Sequence, residues 1–412
     1  MGRHHSTEML LFLVLLCVCI SNMSGITFGC IEKERQALLN LKQSFQDPSH
    51  KLSSWQGQDC CQWKGVTCNE TTGHVVKLHL RSSSMNFSFS NYSYPLVSYS
   101  YPLVDCNEDY SYSYSPYTHL PDLQANELSS NLLELQHLNY LDLSGNNFSY
   151  SKIPNFFGSM KNLKYLNLSH ARFGGLISLQ FANLTSLQVL DLNGLLNVNT
   201  RTFQWASNLL SLQYLDMNSV NCSNASDLMQ VLTNLPSLSH ISLPGCSLNM
   251  VNFPWRSINS TFSASVRYLD LSWNHLERSI LNDLKNMTSL EVLDLSSTFF
   301  YATSSSIPTW LGDLKSLVYL NLVWNNYDSF EGEGGLLYII NNACSLKVLD
   351  LSYNKIREGL EPHQNSRKCV KYNLEILSLD YNEMGGPLPD WLMDPKRVCL
   401  KIYISQAHES SI

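Results

Sequence analysis

Leucines alternate with polar residues in a short stretch that recurs along the chain. In its first clear copy, Leu141 and Leu143 flank Asp142, and this period of two predicts a strand with leucines on one face and polar residues on the other. A single strand of this kind cannot bury its apolar face. Copies that return every 24 to 29 residues can bury it by stacking as parallel strands about 4.8 Å apart.

The copies share an apolar residue at the first leucine position, and a degenerate copy precedes them at Leu78. The ten clear copies are centred on Leu141, Leu166, Leu190, Leu215, Ile241, Leu269, Leu293, Leu320, Leu349 and Leu377. An asparagine closes several of them, at Asn146, Asn274, Asn325, Asn354 and Asn382. This pattern, L-x-x-L-x-L-x-x-N, is the leucine-rich repeat. The predicted fold is therefore α/β, a right-handed leucine-rich-repeat solenoid with a curved parallel sheet.

The asparagine position predicts how each turn is closed. A buried amide offers two donors and an acceptor to backbone groups that the bend exposes. Cys246 and Thr298 are workable substitutes at this position, whereas Ala171, Leu195 and Val220 are not. In those three repeats we expect looser turns or other local solutions.

An Ile/Leu-Pro step recurs in the second half of several repeats. It occurs at Ile153-Pro154, Ile307-Pro308 and Leu388-Pro389. Proline pre-sets the backbone at a helix start, so each step predicts a short helix-like turn.

The first residues predict an export signal. An apolar run of 12 residues, 9–20, follows Arg3, His4 and His5, and it is too short to span a bilayer. We interpret residues 1–29 as a signal peptide and leader and expect a secreted, extracellular product. No second apolar run of 18 or more residues occurs, so no membrane span is expected.

Composition agrees with an extracellular location. Charged residues make up 15% of the chain and the net charge is −7, which excludes the basic footprint of nucleic-acid binding. Ten Asn-x-Ser/Thr sequons favour a glycoprotein. They begin at Asn69, Asn86, Asn91, Asn147, Asn167, Asn183, Asn221, Asn224, Asn259 and Asn286.

The segment 30–80 has the features of a cap for the open end of the solenoid. Leu38, Leu41 and Phe45 share one face of a predicted helix that stops at Asp47-Pro48. Four cysteines, Cys30, Cys60, Cys61 and Cys68, are expected to form disulfides, and three pairings are open.

This cap closely resembles that of plant leucine-rich-repeat receptors, which carry the signature W-x(n)-D-C-C-x-W-x-G-V-x-C. The matching residues are Trp55, Asp59, Cys60, Cys61, Trp63, Gly65, Val66 and Cys68. The resemblance implies the pairs Cys30–Cys60 and Cys61–Cys68. The repeats are similar to receptor-like proteins, the kinase-lacking branch that includes receptors for fungal ethylene-inducing xylanase. This resemblance implies recognition of microbial proteins or peptides in plant innate immunity, with signalling through a partner receptor-like kinase.

Several departures from that family are visible. Such receptors carry about twenty or more repeats and are anchored by a membrane helix, so the chain is interpreted as a truncated or N-terminal form. The interval from Leu78 to Leu141 contains a Ser/Tyr-rich stretch that predicts a loosely ordered loop, with a ligand-binding loop as the alternative. The expected boundaries are 1–29 for the leader, 30–80 for the cap and first strand, 81–127 for the insertion loop, 128–395 for the repeats and 396–412 for an irregular tail.

Catalytic motifs of the G-x-S-x-G, H-E-x-x-H, P-loop and kinase types do not occur, so we expect no enzyme and no cofactor. Aspartates recur in the strands and could suggest a metal-binding row, but we interpret them as solvent-facing residues. They are Asp142, Asp191, Asp216, Asp270, Asp294 and Asp350.

Two columns of aromatic residues are the candidate ligand contacts. One precedes the first leucine and contains Tyr140, Tyr165, Tyr214, Tyr268 and Tyr319, with His240 at the same position. The other lies two residues past the second leucine and contains Trp273, Trp324, Tyr353 and Tyr381. Trp and Tyr carry much of the energy of protein recognition. The alternative is that these rings pack on one another and bind nothing specific.

Further cysteines leave other pairings open. Cys222 and Cys246 could pair, but Cys246 more simply fills an asparagine position as a buried thiol, and Cys344–Cys369 is a possible disulfide. A different function is also open: secreted polygalacturonase-inhibiting proteins have about ten repeats and a similar cap. The chain could also be a non-signalling fragment or a wall scaffold.

Overall fold

The computed structural model describes residues 29–83, 121–249, 260–277, 279–298, 306–332, 334–358, 369, 373–385 and 401–403. The leader expected at 1–29 lies outside the described residues except for Gly29. The Ser/Tyr-rich stretch 84–120 and the step Leu388-Pro389 also lie outside them.

One long sheet of 13 strands carries the repeats of the described residues. Its first two strands, β1 and β2, are antiparallel, and every later pair is parallel. The strands are Val66–Cys68 (β1), Val75–His79 (β2), Tyr140–Asp142 (β3), Tyr165–Asn167 (β4), Val189–Asp191 (β6), Tyr214–Asp216 (β8), His240–Ser242 (β9), Tyr268–Asp270 (β10), Val292–Asp294 (β11), Tyr319–Asn321 (β13), Val348–Asp350 (β15), Ile376–Ser378 (β16) and Lys401–Tyr403 (β17).

The register of the sheet confirms the repeat alignment. Leu78 pairs with Leu141, Leu141 with Leu166, and the series of first leucines continues without a shift to Leu377. The stretch between Leu78 and Leu141 is therefore an insertion between two adjacent strands. All first-leucine side chains are buried, as a shared apolar core requires.

The second halves of the repeats form short helices and two small parallel sheets. The helices are Glu32–Ser44 in the cap, Leu228–Leu232, Ser260–Ser265, Ser279–Leu284 and Gly335–Asn342, with 3-10 turns at Cys60–Gln62, Ser130–Glu134, Asn155–Ser159, Leu179–Asn183, Gln204–Ala206 and Thr309–Asp313. The small sheets pair Gly174–Leu176 (β5) with Asn197–Asn199 (β7), and Ser306–Pro308 (β12) with Ser329–Glu331 (β14). Pro154 and Pro308 occupy the position before a 3-10 turn, which confirms the Ile-Pro prediction in these two repeats.

Buried asparagines form hydrogen bonds that join their own turn to the turn of the preceding repeat. The Nδ2 group of Asn274 donates to the Leu271 carbonyl at 2.9 Å and to the Leu243 carbonyl of the preceding repeat at 2.8 Å. Its Oδ1 accepts the N–H of Leu248 at 2.9 Å. One side chain thus satisfies three buried backbone groups, each costly to leave unpaired.

Cys246 and Thr298, the substitutes expected at the asparagine position, each form one hydrogen bond of the kind that the asparagine makes. The Cys246 thiol donates to the Met217 carbonyl at 3.0 Å, and the Thr298 hydroxyl donates to the Leu295 carbonyl at 3.0 Å. At Ala171 and Val220 the residue's own N–H bonds the carbonyl three residues earlier, at 3.1 and 2.9 Å. The same backbone bond at Leu195 is longer, 3.4 Å. These turns use the local solution that their sequences led us to expect.

The cap covers the first repeat with an apolar helix face. Leu38 and Leu41 of Glu32–Ser44 are fully buried, and Trp55 stacks on Trp63 with ring centroids 5.5 Å apart. The disulfides Cys30–Cys60 and Cys61–Cys68 form as the resemblance implies. The disulfide Cys344–Cys369 is also present, while Cys222 and Cys246 are buried thiols that no disulfide joins.

The expected domain boundaries stay a prediction, but described residues of two expected segments join the fold. Within the expected insertion loop, 81–127, the Ser82 N–H donates to the Ser144 carbonyl, and Leu123 is fully buried. The tail 396–412 was expected to be irregular, but its residues 401–403 form a strand in which Ile402 pairs with Leu377. The apolar core therefore includes Leu123, and the sheet extends to residues 401–403.

Candidate ligand-binding surface

The tyrosine column forms two stacked groups of rings along the sheet, which Val189 separates. Tyr140 and Tyr165 stack with ring centroids 4.2 Å apart, and the His240 ring lies between those of Tyr214 and Tyr268 at 4.2 and 3.8 Å. These side chains and Tyr319 are half-buried. Within each of these two groups the rings pack on one another. Their role in ligand contact stays a prediction.

The aspartate row is not solvent-facing, and this expectation is wrong. Asp142, Asp191, Asp216 and Asp294 are buried, while Asp270 and Asp350 are half-buried. The reason is that the strands are short, so each aspartate stands at the start of a turn. The Asp142 Oδ1 accepts both the N–H and the hydroxyl of Ser144, at 3.0 and 2.6 Å, and the other aspartates accept the N–H two residues later.

Burial of neighbouring carboxyl groups changes their titration. Burial raises the pKa of Asp191 to about 6, with the Asp142 charge adding to the effect. Burial and the nearby Asp191 also raise the pKa of Asp216 well above its usual range. Asp142 differs, because hydrogen bonds from His79, 3.3 Å away, and Ser144 outweigh burial and lower its pKa. The row is a structural element whose charge depends on pH.

The second column forms a continuous exposed surface, which we call the aromatic strip: Trp273, Trp324, Tyr353 and Tyr381. Their side chains are 53%, 47%, 44% and 49% exposed. Adjacent rings touch: Trp273–Trp324 at 6.0 Å, Trp324–Tyr353 at 5.4 Å and Tyr353–Tyr381 at 4.2 Å. Trp273 reaches Trp324 although the repeat between them carries Ser297 at the same position. Exposed aromatic surface of this kind is typical of interaction sites.

Each residue of the aromatic strip adopts a left-handed backbone conformation, with φ between 55° and 57°. The same position holds Gly145, Gly194 and Gly245 in other repeats, where positive φ is unstrained. A bulky residue in this conformation costs about 1–3 kcal/mol, and such strain collects at functional sites. The same conformation occurs at this position at His170, Ser219 and Ser297, so it is a property of the repeat turn and not of the aromatic rings.

The two indole groups of the strip have unused donors. The buried tryptophans Trp55 and Trp63 donate their indole N–H to the carbonyls of Lys64 and Gln56, at 2.9 and 2.7 Å. Within the described part of the chain, no hydrogen bond uses the indole N–H of Trp273 or Trp324. The side chains of Trp273 and Trp324 are about half exposed, so a bound partner can contact them.

The expected sequons divide by exposure. Those at Asn69, Asn183, Asn221, Asn224 and Asn286 are exposed, Asn147 is half-buried, and Asn86, Asn91 and Asn259 lie outside the described residues. The expectation for Asn167 is incompatible with the fold, because this side chain is buried in β4 and its Nδ2 donates to Asp191 at 2.8 Å.

Other chemistry finds little support in the described residues. Among them, the one close group of potential metal ligands is Cys30, Cys60 and Cys61, whose sulfurs are taken up by the two cap disulfides. No described helix is long and apolar enough to cross a bilayer.

Comparison with known proteins agrees with this architecture. The protein-family model described as "Leucine rich repeat N-terminal domain" matches residues 31–69. The family model described as "Leucine Rich Repeat" matches residues 137–160, 162–184 and 265–287. A related repeat description matches 342–358. Receptor-like proteins EIX1 and EIX2 of Solanum lycopersicum are each 32% identical over 87% of this chain and 32% of the relative. The chain thus spans about a third of the length of the curated relatives it matches.

Solved structures support the fold. The ectodomain of the Arabidopsis receptor kinase HAESA, in complex with an IDA peptide hormone ligand, has a TM-score of 0.63 at 24% identity, covering 91% of this chain and 53% of that one. The GASSHO1/SCHENGEN3 ectodomain from Arabidopsis thaliana has a TM-score of 0.60 at 21% identity, covering 90% and 38%. Both are leucine-rich-repeat ectodomains of Arabidopsis receptor kinases.

Proposed function

Because this chain is a leucine-rich-repeat protein whose relatives are plant receptor-like proteins, we propose that it is the ligand-recognition solenoid of such a receptor. It acts outside the cell, senses a microbial protein or peptide, and signals only through a partner receptor-like kinase. It binds rather than catalyses.

The aromatic strip carries this proposal. Four exposed rings in one row give a rigid contact surface, and Trp and Tyr are the residues that dominate binding energy in protein interfaces. Each ring packs against the next one along the strip, which restricts its motion before a ligand arrives. Pre-ordering lowers the entropic cost of binding.

Binding of a purified fungal ethylene-inducing xylanase to the immobilised full chain tests the proposal, since this is the ligand class that the family resemblance implies. We expect binding that Trp324→Gly weakens. Tyr150→Gly is the matched control, because Tyr150 is 58% exposed at φ 59° but is not one of the strip residues. Equal loss in both variants, or no binding at all, would count against the proposal.

A second candidate is inhibition of a microbial wall-degrading glycosidase, favoured by the similar cap and repeat number. Assays of a fungal polygalacturonase with and without the purified chain distinguish the two. Inhibition without xylanase binding would favour the inhibitor. Signalling is tested separately, by co-expression with candidate receptor-like kinases in leaf tissue and recovery of a complex that depends on the xylanase.

A further inference from the structure

Two buried thiols have no part in the proposed function. Cys222 and Cys246 are fully buried and no disulfide joins them, whereas the other six described cysteines form three disulfides. We propose that this pair is a redox-sensitive lock, which oxidised glutathione converts into a further disulfide when the chain around Cys222 opens locally. The lock would join the repeat of Tyr214–Asp216 (β8) to that of His240–Ser242 (β9), and it does not rest on the receptor role.

The backbone holds the two cysteines within reach of each other. The Cys222 N–H donates to the Cys246 carbonyl at 2.9 Å. With standard bond lengths, this hydrogen bond limits the distance between the two Cα atoms to about 6.8 Å, and disulfides span about 4.4–6.8 Å. The two side chains are also hydrogen-bonded to each other. The pair therefore meets the distance requirement without a displacement of either repeat.

The turn that Cys246 closes can tolerate the loss of its thiol hydrogen. The thiol donates to the Met217 carbonyl at 3.0 Å, and the same carbonyl accepts the N–H of Val220 at 2.9 Å. This carbonyl therefore keeps a partner after oxidation. Thiols are weak donors, so the loss of the 3.4 Å bond from the Cys222 thiol to the Val220 carbonyl also costs little.

Burial keeps the pair reduced while the fold is closed. Thiol–disulfide exchange starts from a thiolate. Burial, together with the hydrogen bond to Cys222, raises the pKa of Cys246 well above its ordinary value, so the thiolate is scarce. Glutathione also cannot contact a fully buried sulfur. Oxidation must therefore start from an opened state of the chain.

The segment around Cys222 is suited to local opening. Cys222 directly follows Asn221, which is exposed, and both lie outside the long sheet. Backbone hydrogen bonds join these two residues to the neighbouring repeats: Cys222 N–H to the Cys246 carbonyl at 2.9 Å, Thr200 N–H to the Asn221 carbonyl at 2.9 Å, and Asn221 N–H to the Val198 carbonyl at 3.1 Å. Breaking these bonds leaves β8 and β9 paired. Such an opening costs less free energy than global unfolding.

The reaction balances with glutathione disulfide as the oxidant. The thiolate of one cysteine attacks the S–S bond of oxidised glutathione, a mixed disulfide forms, and one glutathione thiolate leaves. The thiolate of the second cysteine then attacks the protein sulfur of the mixed disulfide and releases the second glutathione. Two protein thiols are oxidised, one glutathione disulfide is reduced, and the two cysteine protons pass to the released glutathione thiolates.

Non-reducing peptide mapping of the full, folded chain after incubation with oxidised glutathione tests the inference. We expect the peptides that contain Cys222 and Cys246 to become linked, with two glutathione thiols released for each link. The rate should rise only weakly with urea below the unfolding transition, because a local opening exposes little surface. A urea dependence as steep as that of global unfolding, mixed disulfides alone, or links to other cysteines would overturn the inference.

Two single variants provide controls. Cys222→Ser should stop at the mixed disulfide, and Cys246→Asn should fold without any linked product, because asparagine closes this turn in other repeats. After oxidation, the unmodified sequence should melt at a higher temperature than before, because the new link restricts the unfolded chain. Treated Cys222→Ser should show no such gain. An equal gain in this variant, or none in the linked protein, would also refute the lock.

Discussion

Asn354 closes not only its own turn but also that of the preceding repeat: its Oδ1 accepts the backbone N–H of Asn325 at 3.1 Å. The same oxygen accepts the N–H of Tyr327 at 3.1 Å. Its Nδ2 donates to the carbonyls of Leu322 and Leu351, at 3.0 and 2.9 Å. Each asparagine of this kind links two repeats, so the turns depend on one another.

Replacement of this asparagine should be costly. We expect Asn354→Ala to lower the free energy of unfolding by about 3 kcal/mol, because it leaves several buried backbone groups without a partner. Asn208→Ala is the control, since Asn208 is exposed, and it should change stability by less than about 0.5 kcal/mol. Urea denaturation followed by circular dichroism measures both. Equal midpoints for the two variants would contradict the role of the asparagine row.

The aspartate row predicts a dependence of stability on pH. The pKa of Asp191, about 6, and that of Asp216 are higher in the folded chain than the ordinary value, so the folded state binds more protons. Stability should therefore be greatest at low pH within this window and fall as pH rises from about 4 to 7. We expect a higher melting temperature at pH 5 than at pH 7.5. The expected change is about 2–4 °C for each kcal/mol by which the free energy of unfolding differs between the two pH values.

Two variants separate this effect from general acid sensitivity. In the unmodified chain the Asn218 N–H donates to the Asp216 Oδ1 at 2.9 Å. Asp216→Asn keeps this oxygen acceptor and removes the buried charge. It should raise the melting temperature at pH 7.5 and weaken the pH dependence. Asp142→Asn should bring no gain, because the pKa of Asp142 is lowered by its hydrogen bonds and its charge is stabilised by His79. A gain in both variants would refute the assignment.

The disulfide Cys344–Cys369 should stabilise the later repeats. It closes a sequence separation of 25 residues, for which loop entropy gives about 3 kcal/mol. Peptide mapping of the unreduced protein should recover these two cysteines linked, and their joint replacement by serine should lower the melting temperature. Cys246 should react with an alkylating reagent only after denaturation, because it is fully buried. Rapid alkylation of Cys246 in the native protein would be inconsistent with this fold.

The insertion should be removable. The Ser83 N–H and hydroxyl donate to the two carboxylate oxygens of Asp122, at 2.6 and 2.9 Å, and Lys51 donates to the same carboxylate at 3.0 Å. The described residues Ser83 and Asp122, on either side of segment 84–120, are therefore in direct contact. Replacing 84–120 by a short Gly/Ser linker should retain the fold, as measured by the melting temperature. If the variant also binds the xylanase, the alternative of a ligand-binding loop is ruled out for that ligand.

The sequence predicted the leucine core well because one rule, repeated ten times, defines it. It failed at Asp142, where strict alternation placed a polar side chain in solvent. The signal was present, since Asp-Leu-Ser allows the carboxylate to accept the N–H two residues later. The strand at 401–403 was missed because Lys-Ile-Tyr is a short alternation without a following asparagine. The contact of Trp273 with Trp324 over Ser297 depends on side-chain rotamers, which spacing alone does not specify.

The left-handed turn position has a consequence for how such a surface can change over time. The same backbone conformation accommodates Gly145, Ser219, Trp273 and Tyr353, while the buried leucines and asparagines around it stay as they are. A single codon change at this position therefore alters what the surface presents without rebuilding the repeat. The architecture separates residues that maintain the solenoid from residues that determine what its surface presents.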